Sequence, residues 1–226
     1  MPARPKLKAT VAALEKLYGK AAPFPSNDPW ELIVRENASY LVDDTTREEV
    51  FSSLKAHIGV SPEAILGAPN ERLVEAIRKG GMRPSARADK LVEAAEHALE
   101  TGLAELRKLV KGGSPAARKV LKRFPGIGEP GADRLLLAAG SAVTLAPDSN
   151  GLRVLVRLGY AVEDADYAKT YRAAAEAVAP ELPDDTAWLV AAHQLLKRHG
   201  QETCRRSEPR CEVCPLAKGC NFAQES

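Results

Sequence analysis

Four cysteines, Cys204, Cys211, Cys214 and Cys220, fall in one short segment spaced C-x6-C-x2-C-x5-C, and the chain before them contains none. Thiolates are soft, strong metal ligands. Four this close in sequence can close around one compact centre, either a tetrahedral zinc ion or a cubane iron–sulfur cluster. Softness alone does not separate the two. In a chain that avoids cysteine everywhere else and opens without the apolar stretch of a signal peptide, metal binding is a better reading than disulfides.

A second pattern is Phe124-Pro125-Gly126-Ile127-Gly128, set between two apolar periodic stretches. Two glycines around Ile127 permit a tight reversal and leave bare amides at the start of the next helix, a setting that receives a phosphate well. An ordinary helix-to-helix turn uses the same residues, but the basic run just upstream favours a nucleic-acid backbone. Between residues 104 and 123 stand Arg107, Lys108, Lys111, Arg118, Lys119, Lys122 and Arg123 against Glu105 alone. In form this is a helix-hairpin-helix. A second basic cluster, Lys197, Arg198, Arg205, Arg206 and Arg210, surrounds the first cysteines. The overall balance of 32 basic to 30 acidic residues is only +2, so distribution carries the argument.

The elements that must position these groups are helices. Asp28-Pro29-Trp30-Glu31 is a helix start, with an acid at the cap, proline in the first turn and a glutamate three residues on, and the helix is expected to run to about Leu41. Thr45-Thr46-Arg47-Glu48 repeats the capping-box pattern, and Ser61-Pro62-Glu63 opens another helix. Periodic segments continue to Thr186–His199, with no alternating strand run among them, so the fold class is all-α. With 226 residues, 45% apolar and 27% charged, the chain is long enough for one large domain or two small interlocked ones and is neither disordered nor membrane-spanning in composition. A cytoplasmic protein is expected, nucleoid-associated if bacterial.

The hairpin, the cysteine loop CRRSEPRCEVCPLAKGC, His199-Gly200 just before it, and Asp148 beyond the hairpin together resemble the endonuclease III and adenine glycosylase superfamily of base-excision DNA glycosylases. The resemblance covers about the whole chain in order. It implies a [4Fe-4S] cluster on the four cysteines, and two helical domains. Residues 29–142 would form a six-helix barrel carrying the helix-hairpin-helix, and residues 1–28 with 143–226 a cluster domain, with double-stranded DNA bound across the groove between them. Gly126, Ile127, Gly128, Lys122, Arg205, Arg206 and Arg210 are then the expected DNA-backbone contacts. A monomer is expected, with no membrane partner.

For chemistry, Asp148 lies in Pro147-Asp148-Ser149-Asn150 with Arg153 following, which resembles the D-x-N-x-x-R stretch of adenine glycosylases. A carboxylate there can stabilise an oxocarbenium-like sugar or orient water, and as an acid before a helix it is also an N-cap; both roles can coexist. Glu36, with Ile33 and Tyr40 expected on its helix face, matches the position of the catalytic glutamate of adenine glycosylases. Partly buried, it would have a raised pKa and protonate a leaving base; the competing reading is a surface acid paired with Arg35 or a lysine. Tyr40 and Asn37 are candidate pocket residues for the extruded base. Pro130 stands where endonuclease III carries its Schiff-base lysine, and Leu41 where the family carries a DNA-contacting glutamine. The chain ends soon after Cys220, so no C-terminal domain for oxidised guanine is expected. A monofunctional glycosylase acting on a damaged or mispaired base is the resulting expectation. Its rivals are a glycosylase with lyase activity through a displaced lysine, and a catalytically silent, cluster-bearing DNA-binding protein.

Overall fold

The computed structural model describes residues 4–225. Its α-helices are α1 Leu7–Tyr18, α2 Pro29–Ala38, α3 Asp44–His57, α4 Pro62–Gly67, α5 Asn70–Ala76, α6 Pro84–Thr101, α7 Leu103–Lys111, α8 Pro115–Leu121, α9 Glu129–Ala138, α10 Ser149–Arg157, α11 Tyr167–Val178, α12 Thr186–Glu202 and α13 Asn221–Glu225. Extended pairing among the described residues is limited to one isolated bridge, Tyr40 to Gly81. The all-α expectation holds.

Local chemistry sets most helix starts. Asp28 Oδ1 accepts from the amides of Trp30 (2.9 Å) and Glu31 (3.1 Å), and Ser61 Oγ accepts from Ala64 N–H (3.2 Å). The start of α3 differs from expectation. Its cap is Asp43, which accepts from Thr46 N–H at 2.9 Å, because a carboxylate two residues ahead of Thr45 offers the stronger acceptor. Helix α2 stops at Ala38 rather than Leu41: Ser39 is extended and Tyr40 N–H turns away to donate to Gly80 O at 2.7 Å. Helix α1 precedes the first start read from the sequence; Leu7, Thr10, Val11 and Leu14 give it one buried face.

The chain divides into two compact units. One is Ser26–Ser141; the other joins the segment through Pro25 to the segment from Ala142 onward. In the Ser26–Ser141 unit, α6 packs against α2, α4 and α5. It buries Ala88, Leu91, Ala95 and Ala98, and Ile33, Ile65 and Leu73 of its neighbours are likewise fully buried. Truncating one such leucine to alanine costs about 2–5 kcal/mol, because the space refills only in part.

In the second unit one apolar cluster joins Leu7, Val11 and Leu14 to Leu152, Leu155, Tyr171, Leu195, Leu196 and Cys220. Glu181 ties the N-terminal segment down, accepting from Leu7 N–H (2.6 Å) and Arg4 (3.0 Å). Helices α10 and α12 approach so closely that a Cβ on Gly200 would meet the Asn150 carbonyl oxygen at 2.5 Å. Among the described residues, no helix is long and apolar enough to cross a membrane.

Candidate functional site

In the Ser26–Ser141 unit, α8 and α9 flank the Gly126–Gly128 turn. Gly126 is exposed and left-handed at φ +76°, a conformation in which L side chains are strained. A Cβ there would also lie 3.0 Å from Asn37 Oδ1. Gly128 is the N-cap of α9 and Pro130 lies in its first turn; no side chain caps the helix start. Ile127 is 4% exposed and plugs the turn into the core, so backbone rather than side chain faces out here. Lys122 is exposed, and it lines a shallow depression with Pro115, Arg118 and Lys119.

On α2, the structure places Asn37 and Glu36 in contact with other elements of the same unit. Asn37 is 3% exposed, donates Nδ2–H to Ile33 O at 3.0 Å and lies beneath Gly126. It supports the hairpin turn. Glu36 is not a carboxyl group in apolar surroundings. Its Oε2 accepts from Arg134 Nη2 of α9 at 2.6 Å, with Arg47 at 4.0 Å. Arg35, the partner considered from the sequence, is engaged by Glu31 (3.0 Å) and Glu48 (2.6 Å).

Tyr40 lies beyond the helix end, so it shares no helical face with Glu36, and it is 55% exposed. Beside it Leu41 takes φ +56° and is also exposed. This rim is fixed by Arg87, which sequence reasoning missed. Its buried guanidinium donates to the carbonyls of Ala38, Ile77, Gly81 and Met82. The Gly80-Gly81 pair is the available signal: a Cβ at either position would collide with the carbonyl of Ala38 or Tyr40.

In the other unit, Asp148 caps α10. Its Oδ1 accepts from Asn150 N–H (3.0 Å) and Gly151 N–H (2.8 Å), and its Oδ2 from Asn150 Nδ2–H (3.2 Å). The network continues. Asn150 Oδ1 accepts from Arg153 Nη2 at 3.0 Å, and Arg153 also donates to Gly200 O (2.6 Å) and Cys204 O (2.9 Å). Asp148 is thus oriented by two backbone amides and one side-chain amide, and the group holding that amide reaches the first cysteine. The spacing D-x-N-x-x-R sets Asn150 in the first turn beside the cap and Arg153 three residues on, on the same helix face as Asn150.

The four cysteines gather beside α10 and α12. Arg157 Nη1 lies 3.3 Å from Cys204 Sγ, and Cys220 Sγ lies 3.3 Å from Arg157 O. Arg157 also donates to Arg205 O (2.7 Å) and Arg206 O (3.3 Å), which fixes the loop and leaves the exposed Arg205, Arg206 and Arg210 side chains outward. Burial pushes the Cys214 thiol up to about 11, and the charges of Cys204, Cys220 and Cys211 act in the same direction. Yet among the described residues no three His, Cys, Asp or Glu side chains form a ligand set for one metal ion. His199 is buried, with Nε2 at 3.5 Å from Cys214 Sγ and Nδ1 at 3.0 Å from Tyr18 Oη; desolvation pushes its pKa down to about 4.

No family model matches the chain. Its similarity to known proteins lies with DNA glycosylases. It is 33% identical over 106 residues to endonuclease III of Rickettsia conorii, and the match spans 46% of each chain. It is 28% identical over 214 residues to thymine-DNA glycosylase of Aeropyrum pernix, covering 92% of this chain and 89% of that one. In structure it resembles a trapped covalent intermediate of endonuclease III with DNA, with a TM-score of 0.77 at 20% identity over 97% of this chain and 96% of that one. The fold is therefore that of endonuclease III. In sequence and in fold the chain is thus similar to helix-hairpin-helix DNA glycosylases.

Proposed function

We propose that the chain is a DNA N-glycosylase that takes a damaged or mispaired base out of duplex DNA and hydrolyses its N-glycosidic bond. The observation that carries this reading is Asp148, a carboxylate held by three N–H donors in a fold that also bears a helix-hairpin-helix. Amides around Gly126, Ile127 and Gly128 take the phosphate backbone, and Lys122, Arg205, Arg206 and Arg210 add positive charge to it.

As the bond breaks, the base leaves with the bonding pair and the sugar carbon becomes cationic. The Asp148 carboxylate stabilises that cation. A water oxygen then adds to the carbon and gives up its proton to solvent or to Asp148. Pro130 offers no amine, since its ring nitrogen is part of a peptide bond; water is the nucleophile and the strand is left intact at an abasic site. Glu36 is engaged by Arg134, and on this reading it transfers no proton to the leaving base. That favours bases able to depart as anions, pyrimidines whose ring carbonyls spread the charge. Thymine, the base in the name of the Aeropyrum pernix relative, is one of these.

Cys204, Cys211, Cys214 and Cys220 would hold the [4Fe-4S] cluster that the spacing and the likeness to endonuclease III imply. A cubane takes one thiolate at each of four irons, a donor set these four residues supply. When bound, it supplies a thiolate-ligated iron centre that cross-links the 205–210 loop to the rest of its unit. Iron and acid-labile sulfide should be found in equal numbers; stoichiometric zinc without iron, in anaerobically purified protein, would exclude the cluster.

The decisive experiment is single-turnover base release across a panel of damaged and mismatched duplexes, with and without alkali, alongside borohydride trapping. Base release with strand breaks only after alkali is the expected result. An efficiently trapped adduct would replace water by a lysine such as Lys119 or Lys122. Tight binding with no release from any duplex would leave a DNA-binding protein without this chemistry.

A further inference from the structure

We propose that His193 is the positioning residue for Asp148, acting through the backbone of Ala146. The inference rests on the reading of Asp148 as the charge that serves bond cleavage, and it adds a second element, α12, to the machinery that aims that charge.

Ala146 lies two residues before Asp148 and takes φ +46°, the left-handed region, in which a side chain bearing Cβ is strained. The next residue is Pro147, whose ring further restricts the backbone of the residue before it. Left alone, an Ala-Pro step relaxes to an extended conformation. Such strain persists only where the surrounding structure over-determines the backbone.

That support comes from α12. His193 Nδ1 lies 2.8 Å from Ala146 O, and both residues are 2% exposed. A carbonyl oxygen only accepts, so the proton of this bond sits on Nδ1. The ring is itself wedged: Phe24 packs against it with centroids 5.0 Å apart and planes tilted by 39°. The neighbouring Leu145 is 1% exposed and anchors the segment from the other side. Rotating the Ala146 carbonyl away from His193 would bury it without a donor, which the protein interior does not tolerate cheaply. The His193–Ala146 bond therefore fixes the peptide plane that leads into Pro147, and with it the direction from which Asp148 enters the cap of α10. A buried histidine serving core packing alone would need a shape and some hydrogen-bond partner. This one bonds to the strained residue of the catalytic approach.

The test uses His193→Asn, His193→Gln and His193→Leu, the last also combined with Ala146→Gly. An asparagine amide places N–H where Nδ1 was, whereas glutamine moves it to the far ring position, so Asn should keep the function and Gln lose it. Single-turnover base release should fall about 10–100-fold in His193→Leu and His193→Gln, with DNA affinity within a few-fold of wild type, since small displacements of a reacting group cost that much. Ala146→Gly removes the Cβ strain and should recover most of the loss in the His193→Leu background. Protection of the Asn150 and Gly151 amides from hydrogen exchange gives an independent readout, falling and recovering in the same order. Equal behaviour of the Asn and Gln variants, or a double variant no better than His193→Leu in either readout, would overturn the proposal. Should wild type release no base from any duplex, the glycosylase reading fails, while the exchange pattern still decides whether His193 aims Asp148.

Discussion

Asp148 and Glu36 are both partly buried carboxylates facing nitrogen donors, yet the donors differ in kind and in origin. Asp148 is held by neutral N–H groups in the first turn of the helix it caps, at Asn150 and Gly151. Glu36 is held by guanidinium groups from elsewhere in the chain, Arg134 at 2.6 Å and Arg47 at 4.0 Å. Neutral donors orient a carboxylate without pairing its charge directly, so more of that charge stays available to a developing cation. Guanidinium partners cancel much of it. On the proposed reading, the same kind of group serves as an electrostatic catalyst in one region and as a tie between helices in the other.

The largest effect that could break this comparison is at Asp148 itself. Asp148→Asn keeps an oxygen for the Asn150 and Gly151 amides and removes only the charge. Single-turnover base release should fall about 10²–10⁴-fold. DNA binding and thermal stability should barely change. Full activity in this variant would reduce Asp148 to a helix cap.

Next in size is the relay behind it. Arg153→Leu removes donors to Asn150 Oδ1, Gly200 O and Cys204 O. Hydrogen bonds from a charged donor contribute about 1.5–3 kcal/mol each where desolvated, so stability should drop by a few kcal/mol. Base release should fall with it, by about 10–100-fold, through misorientation of Asn150 and hence of Asp148. Chemical denaturation and single-turnover kinetics on the same preparation check both. An undiminished rate in a destabilised protein would confine Arg153 to a structural role.

How far each region can be read from the sequence follows from the range of its interactions. The cysteine spacing, the caps at Asp28, Ser61 and Asp148, and the glycine turn are local patterns, visible within a few residues. The start of α3 departs from its capping pattern by two residues because Asp43 accepts from Thr46 N–H and starts the helix ahead of Thr45. The end of α2 escapes a local reading because Gly80, forty residues away, takes the Tyr40 amide. Arg134, ninety-eight residues from Glu36, leaves no trace in a helix-face argument. Ala146 carries no signal either: alanine is poorly suited to the left-handed region, and only His193 and the core around it hold it there.

The cysteine loop offers a third, smaller test, which concerns affinity. Arg205 and Arg206 are exposed while their carbonyls are pinned by Arg157, so reversing their side-chain charge should leave the fold intact. For every phosphate these side chains no longer neutralise, the slope of log affinity against log salt should flatten by about 0.9. Unchanged affinity and slope in Arg205→Glu/Arg206→Glu would remove the loop from the DNA interface.

The smallest effect is expected at Glu36, and it sharpens the comparison most. Glu36→Gln retains a hydrogen-bond acceptor for Arg134 and abolishes the charge, the same chemical change as Asp148→Asn. If Glu36 is a tie between α2 and α9, the variant loses a half-exposed ion pair, which is worth about 0.2–1 kcal/mol. Base release should then change by no more than about 5-fold, well below the range set by loss of a general acid. Arg134→Gln should match it in both stability and rate, because the two side chains act as one unit, and the double variant should be no worse than either alone. A fall of about 10²-fold or more in Glu36→Gln, with Arg134→Gln unaffected, would mean that the carboxyl leaves Arg134 when DNA binds and donates a proton to the base. In that case purines, whose departure gains most from protonation, would replace pyrimidines as the favoured leaving groups.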